Sequence, residues 1–428
     1  MTSKGTMPPT KPKLAIILGI RPDVIRASLF LNLIRADPRV EVTFIWSGQH
    51  YSDNLKDVFF RELGVKPPEI ELDARGSNDA EVSSSIIARL YPVLARLEPD
   101  AALFLGDTNT VISCLAAAQL NIPIIHFEGC MRSYDWRMPE EKYRGVIDHL
   151  ADVIYTYYPE YKRQGVDEGI NPRSIVVVTN PIVDVLQKHY FEKRAFYDAM
   201  ADDAFFATRG IERGNYYVMT CHRRENVHIR SSLEAILALV RAAGKVVYFP
   251  ASYRTQKLLQ EYGLPLPPNV RMVDPVGYQE FLVLMTRSAG VITDSGTVVE
   301  ETAVLGIPSL QMRRASERPQ TYDIGSSVKF DPTRAEKYPA RTVFAKLELL
   351  RGRKWKHGLG DGHSSERIYR DVVQRLLSGR VAMHRPRDYH LDIRRSYRED
   401  GIVLRKAGAR ARSRTQGAAA RAPAPRGR

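Results

Sequence analysis

The sequence predicts an α/β protein built from two Rossmann-like, doubly wound domains with a ligand cleft between them. Three observations carry that expectation. Short apolar runs alternate with helical patterns along the 428 residues, the signature of parallel strands joined by helices. The runs fall into two series of six. Between the series lies the polar helical stretch "KHYFEKRAFYDAMADDAFFATRG", a pause that a single closed barrel would not make. The expected division is a disordered amino terminus over 1–12, a first domain over 13–185, a second over 186–380, a carboxyl-terminal extension over 381–404 and a basic tail over 405–428.

In the first series the strands are expected in "KLAIILG", "VEVTFIWSG", "DAALFLGD", "IPIIHFEG", "DVIYTYY" and "SIVVVTN". Each is an apolar run of strand length bounded by turn signals. After the first, Pro22 and Asp23 open a helix whose Val24, Ala27, Leu31 and Ile34 keep helical spacing. That turn holds one glycine, Gly19, so it is no dinucleotide cradle, while Arg21 and Arg26 stand where an anion would meet a helix start. The fourth run empties into "HFEGCMRSYDWRMPEEKYR", which carries His126, Glu128, Arg132, Asp135, Glu140, Glu141 and Arg144. Such a cluster after a buried strand suits a site at the carboxyl end of a parallel sheet, and it equally suits a solvated loop.

The second series is expected in "NYYVMTCH", "KVVYFPA", "NVRMVDP", "GVITDSG", "IPSLQMR" and "SVKF". His222, Arg223, Arg224 and Glu225 follow its first strand, a cationic group fit for a diphosphate. In "TDSGTVVEE" a strand ends at Asp294, and Ser295 and Gly296 lead into a helix. Their hydroxyl and backbone amides form a seat for phosphate, or else a plain helix cap.

Composition narrows the class. With 44% hydrophobic and 26% charged residues the chain is ordinary globular material. No window approaches about 18 uninterrupted apolar residues, and "MTSKGTMPPTKPK" lacks the apolar core of a signal peptide. A soluble, cytoplasmic protein without a transmembrane segment is expected. Cys114, Cys130 and Cys221 form no CxxC pair, so neither a disulfide framework nor a zinc site is expected. Eight of the fourteen net positive charges fall in residues 405–428, which contain no acid. That tail, rich in Ala, Arg, Gly and Pro, predicts disorder and at most weak attraction to polyanions, not specific nucleic-acid binding.

Seven motifs in order, "GIRPDVI", "GDTNT", "HFEGCMRS", "MPEEKYR", "CHRRE", "TDSGTVVEE" and "ERPQT", resemble the non-hydrolysing UDP-N-acetylglucosamine 2-epimerase family from about Lys13 to about Gly379. The resemblance implies a glycosyltransferase-B type fold, a homodimer, and interconversion of UDP-GlcNAc and UDP-ManNAc through a glycal, with no cofactor and no metal. It also implies roles. Asp107, Glu128 and Glu140 become the acid and base candidates, and His222 the stabiliser of the departing diphosphate. Arg21, Arg26, Arg132, Arg144, Arg223 and Arg318 join the substrate-binding set. Ser295 and Gly296 take the phosphate turn, and Glu301 the ribose hydroxyls. Phe281 stands beside the uracil or, in the equally weighted reading, packs in the core.

The chain also departs from the family pattern. Arg26 stands for the usual lysine and Asp23 for the glutamate, and Thr297 and Val299 replace commoner residues. The loop between Glu128 and Glu140 is two residues short, and Ser252 occupies a place where many bacterial members carry histidine. The last change predicts weak regulation by a second UDP-sugar. Three other readings stay open: the same chemistry on a modified UDP-sugar such as a diacetamido uronate, a retaining glycosyltransferase, and a basic nucleic-acid-binding protein.

Overall fold

Thirteen parallel strands in two sheets organise the computed structural model, which describes residues 11–48, 53–382, 397–398 and 401–402. The first sheet holds β1 (Lys13–Leu18), β2 (Glu41–Trp46), β3 (Ile70–Glu71), β4 (Ala101–Leu105), β5 (Ile124–Phe127), β6 (Val153–Thr156) and β7 (Ile175–Val177). Their order is β3-β2-β1-β4-β5-β6-β7. The second sheet holds β8 (Tyr216–Thr220), β9 (Val246–Pro250), β10 (Val270–Val273), β11 (Gly290–Thr293), β12 (Ser309–Met312) and β13 (Ser327–Phe330), in the order β10-β9-β8-β11-β12-β13. Both are doubly wound, so the fold is two Rossmann-like domains. All twelve expected runs form strands. The thirteenth, β3, is a two-residue edge strand too short to stand out as an apolar run.

Helices cover both faces of each sheet, which is why strands such as β1, β4 and β5 are apolar almost throughout. Six helices matter to the site: α1 (Arg21–Ala36), α2 (Asp53–Glu62), α3 (Pro139–Leu150), α4 (Tyr278–Thr286), α5 (Gly296–Leu305) and α6 (Ser364–Ser378). The polar stretch between the two strand series folds as a 3-10 turn and two short helices ending at Arg209.

The chain passes between the two sheets twice. It leaves the first after β7, and it returns near Leu359 to lay α6 against α1. There Tyr369 donates to Asp37 at 2.8 Å, and Tyr155 of β6 donates to Asp371 at 2.6 Å. The two crossings run side by side, with the Asn180 amide donating to the Leu359 carbonyl at 3.0 Å. Separately, Tyr397–Arg398 pairs antiparallel with Gly401–Ile402. The expectations for residues 1–10 and for the tail 405–428 lie outside the described residues.

Candidate active site

The first domain brings its carboxylates to the carboxyl ends of β4 and β5, where a doubly wound sheet opens a crevice. Asp107 follows β4 and Glu128 follows β5. Glu128 has φ +73, a left-handed backbone that a side chain resists. Its surroundings hold it there. The amide of Glu128 donates to Tyr155 O at 3.0 Å, and its carboxylate accepts from Tyr157 at 2.8 Å, from Arg318 at 2.8 Å and from Arg26. Glu140 lies in the first turn of α3, with Glu141 beside it. Glu141 points away, accepting from the backbone amides of Ser133 and Tyr134 and so bracing the short loop.

A buried polar knot fixes that loop from beneath. His126 sets its two ring nitrogens against Asp148 at 2.7 Å and the Gly106 carbonyl at 2.8 Å. Asp148 also accepts from the Cys130 amide at 2.9 Å and from Arg132 at 2.7 Å. Burial pushes the Asp148 carboxyl up, but His126 and Arg132 outweigh it and bring the pKa down to about 2. Arg132 completes the knot by pairing with Glu168 at 2.7 Å.

The second domain faces these carboxylates with donors. Asp294 is fully buried at the end of β11 and accepts from the amides of His222 at 3.0 Å and Arg223 at 2.9 Å, which sets the turn after β8. Ser295 is the N-cap of α5, its hydroxyl accepting from Val298 at 3.5 Å. At Gly296 a Cβ would collide with the Arg318 guanidinium, so glycine is required for that arginine to pass. Glu317, fully buried, gathers Arg313 at 2.7 Å, Arg223 at 3.1 Å and Arg318. Arg318 therefore reaches from one domain to Glu128 in the other.

Between the two sets lies a cavity of about 400 Å³ lined by Arg26, Asp107, Glu128, Glu140, His222, Arg223, Ser295, Gly296 and Arg318. Its charges are unequal in kind. Burial would raise Asp107, yet Arg144 with Arg223 and Arg318 hold it below the ordinary carboxylate range. Glu140 is raised, chiefly by burial and further by Asp107, against Arg223. One of its oxygens, Oε2, is buried without a hydrogen-bond partner. Two carboxylates with pKa values pushed apart are a ready proton acceptor and donor. His222 is held below its ordinary value by burial and by Arg223, Arg254 and Arg21, against Asp294, so the free imidazole is neutral near pH 7. Its Nδ1 stands 3.6 Å from Asp294, too far for a hydrogen bond.

Nine of the fourteen residues singled out in the sequence thus share one cavity; five do not line it. Arg144 stands behind Asp107, paired with it and donating to the Met131 carbonyl at 3.1 Å. Arg21 lies with its guanidinium 5.3 Å from the Phe59 ring. Arg132 is spent on Asp148 and Glu168, so its place is structural and not in the cavity. Phe281 packs against the apolar core, which favours the core reading of that residue. Glu301 is buried and accepts from the Tyr278 hydroxyl at 2.7 Å; burial raises its pKa to about 8. Sequence reasoning gave no role to Glu317, Asp148 or Arg254, although Glu317 opens a quoted motif and Arg254 lines the cavity. Ser252 caps the helix Tyr253–Glu261, accepting from Thr255 at 3.2 Å. Among the described residues no group of three or more His, Cys, Asp or Glu side chains is placed to hold a metal, and no helix is long and apolar enough to cross a membrane.

The family pattern described as UDP-N-acetylglucosamine 2-epimerase matches residues 32–372. The chain belongs to the UDP-N-acetylglucosamine 2-epimerase family. It is 33% identical over 375 residues to the UDP-N-acetylglucosamine 2-epimerase of Methanocaldococcus jannaschii, an alignment covering 84% of this epimerase and 98% of that protein. A solved structure of the M. jannaschii enzyme in complex with UDP-GlcNAc and UDP superposes with a TM-score of 0.76 at 30% identity, covering 85% and 99% of the two chains. The UDP-2,3-diacetamido-2,3-dideoxy-D-glucuronate 2-epimerase of Pseudomonas aeruginosa is 31% identical to this epimerase over 333 residues, covering 74% of this chain and 87% of that one.

Proposed function

We propose that the protein interconverts UDP-GlcNAc and UDP-ManNAc. The observation that carries this reading is the convergence of Asp107, Glu128 and Glu140, from three separate motifs, on the cavity that also holds His222, Arg223 and the Ser295–Gly296 turn. In the reaction a carboxylate takes the proton from sugar carbon 2. The freed electron pair forms the carbon 1–carbon 2 double bond, and the bond from carbon 1 to the diphosphate oxygen breaks with its electrons leaving on UDP. Return of a proton to the opposite face of carbon 2 and re-addition of UDP at carbon 1 complete the inversion. No electrons are gained or lost overall. Asp107, kept ionised, suits the accepting role in one direction, and Glu140, with its raised pKa, suits the donating role.

Glu128 is ion-paired with Arg26 and Arg318, so its part is to hold the sugar and to register closure of the two domains. His222 and Arg223 meet the departing diphosphate and the α5 amino terminus receives its phosphates. Residues 13–185 thus present the proton-transfer groups and residues 186–380 the UDP-binding ones. The homodimer, the cytoplasmic setting and weak contact of the basic tail with polyanions belong to the same proposal, and light scattering of the purified protein reads the first of them.

Incubation with UDP-GlcNAc in deuterated water tests the activity: deuterium enters at carbon 2 and UDP-ManNAc accumulates. The likeness to the diacetamido-uronate epimerase favours a second reading, the same chemistry on that sugar. It holds if UDP-GlcNAc neither exchanges nor converts while the diacetamido uronate does both.

A further inference from the structure

One contact between the two domains lies away from the proton-transfer groups. Glu62, the last residue of α2, places its carboxylate against the first amides of α4, accepting from Tyr278 at 2.7 Å and from Gln279 at 3.0 Å. These amides have no partner within their own helix. The residue that would ordinarily satisfy them is the N-cap, and here it is Gly277, which has no side chain to do so. A side chain here would have to push the Glu62 carboxylate aside. A Cβ on Gly277 would stand 2.6 Å from a Glu62 oxygen and 3.1 Å from Val58. A helix of the second domain is therefore capped by an acid of the first.

Tyr278 joins this cap to a second acid. Its amide is held by Glu62, its ring lies 6.2 Å from Phe59 of α2, and its hydroxyl donates to Glu301 of α5 at 2.7 Å. The ring is buried, so it cannot turn without its neighbours. The Arg21 guanidinium also lies 5.3 Å from the Phe59 ring centroid. One side chain thus ties the inter-domain contact to the placement of Glu301.

We propose that Glu62 is a positioning residue that, through Tyr278, sets Glu301 for recognition of the ribose hydroxyls. The proposal deepens the function proposed above and rests on Glu301 binding the ribose. It predicts a defect confined to ligands that carry the 2′-hydroxyl, which a general loss of structure would not produce.

Calorimetry with UDP and 2′-deoxy-UDP on the full chain gives the test. Wild-type protein binds UDP about tenfold more tightly than 2′-deoxy-UDP, the weight of one well-made hydrogen bond. In Glu62→Leu the preference falls to within about twofold, with UDP about tenfold weaker and 2′-deoxy-UDP unchanged. Glu62→Gln, which keeps an acceptor, restores most of it. Tyr278→Phe leaves the cap in place and loses the same preference, and the double variant is no worse than Tyr278→Phe alone, because both changes act on one chain of contacts. A Glu62→Leu protein that keeps the wild-type preference overturns the proposal, as does a double variant whose losses add. Wild-type protein that binds UDP without any preference overturns the role of Glu301, and the proposal with it, while leaving the epimerase reading standing. Failure to bind UDP at all removes that reading too.

Discussion

Glu301→Gln should stabilise the free protein while disabling it. Glu301 is 2% exposed and its pKa is raised to about 8 from an ordinary 4.5, first by burial and then by Glu300, against the hydrogen bond from Tyr278 and the charge of Arg26. Between those two values the folded protein keeps a proton that the unfolded chain releases. Fewer protons are bound in the unfolded state, so stability falls as pH rises from about 4.5 to about 8. A shift of about 3.5 units sets a ceiling of ~5 kcal/mol on that loss. Glutamine fills the same space and cannot ionise. Urea unfolding at pH 5, 6.5 and 8.5 should find the variant within ~1 kcal/mol of wild type at pH 5 and more stable by ~2–4 kcal/mol at pH 8.5, other titrating groups cancelling in the comparison. UDP affinity should fall about tenfold or more in the variant. Parallel stability curves for the two proteins across this range would refute the reasoning, since Glu301 would then ionise alike in both states.

Asp107→Asn and Glu140→Gln, which remove proton-transfer groups, and Glu128→Gln, which loosens the hold on the sugar and on closure, should each lower turnover by about 100-fold or more and leave UDP binding largely intact, measured by conversion of UDP-GlcNAc and by calorimetry. Normal turnover in any one removes that residue from the mechanism. His222→Ala should weaken UDP binding itself. Wild-type protein should also take up a proton on binding UDP, seen as a dependence of the binding heat on buffer, because the neutral imidazole gains an anionic partner. Arg132→Ala should cost ~3 kcal/mol of stability by taking from the buried Asp148 one of its two basic partners, with UDP affinity unchanged. With Ser252 committed to capping a helix, kinetics should be hyperbolic in both directions, and a reverse reaction that waits for added UDP-GlcNAc would show the contrary.

Strands such as β4, β6 and β11 were legible because each is buried throughout and so reads as an apolar run, and the half-exposed β10 and β13 because turn signals bound them. β3 was not, having two residues and one covered edge. The polar residues after β4, β5, β8 and β11 were legible for a related reason: in a doubly wound sheet those positions open on the crevice, whatever lies elsewhere. Position does not say what a charge is paired with. Arg132 sits four residues from Glu128 and looks like its neighbour in function, yet Asp148, sixteen residues on, claims it. Glu317 looks like one more surface acid, but three arginines close around it. The raised pKa of Glu301 comes chiefly from burial under the tertiary fold, which its own stretch of chain does not spell out.

The paired crossings at Asn180 and Leu359 constrain how the two domains can move. A domain on a single tether wanders; one held by two adjacent segments, joined by an amide-to-carbonyl bond, is constrained in distance and facing, and a swivel about the doublet is the motion least opposed. Everything far from that axis then travels on an arc, and the jaws of the crevice travel furthest. A few degrees of turn at the doublet become ångströms at the carboxylates, enough to make or break contacts such as Arg318 to Glu128. A mutation at the doublet would therefore leave every catalytic side chain intact and still change how long a reactive intermediate is kept enclosed.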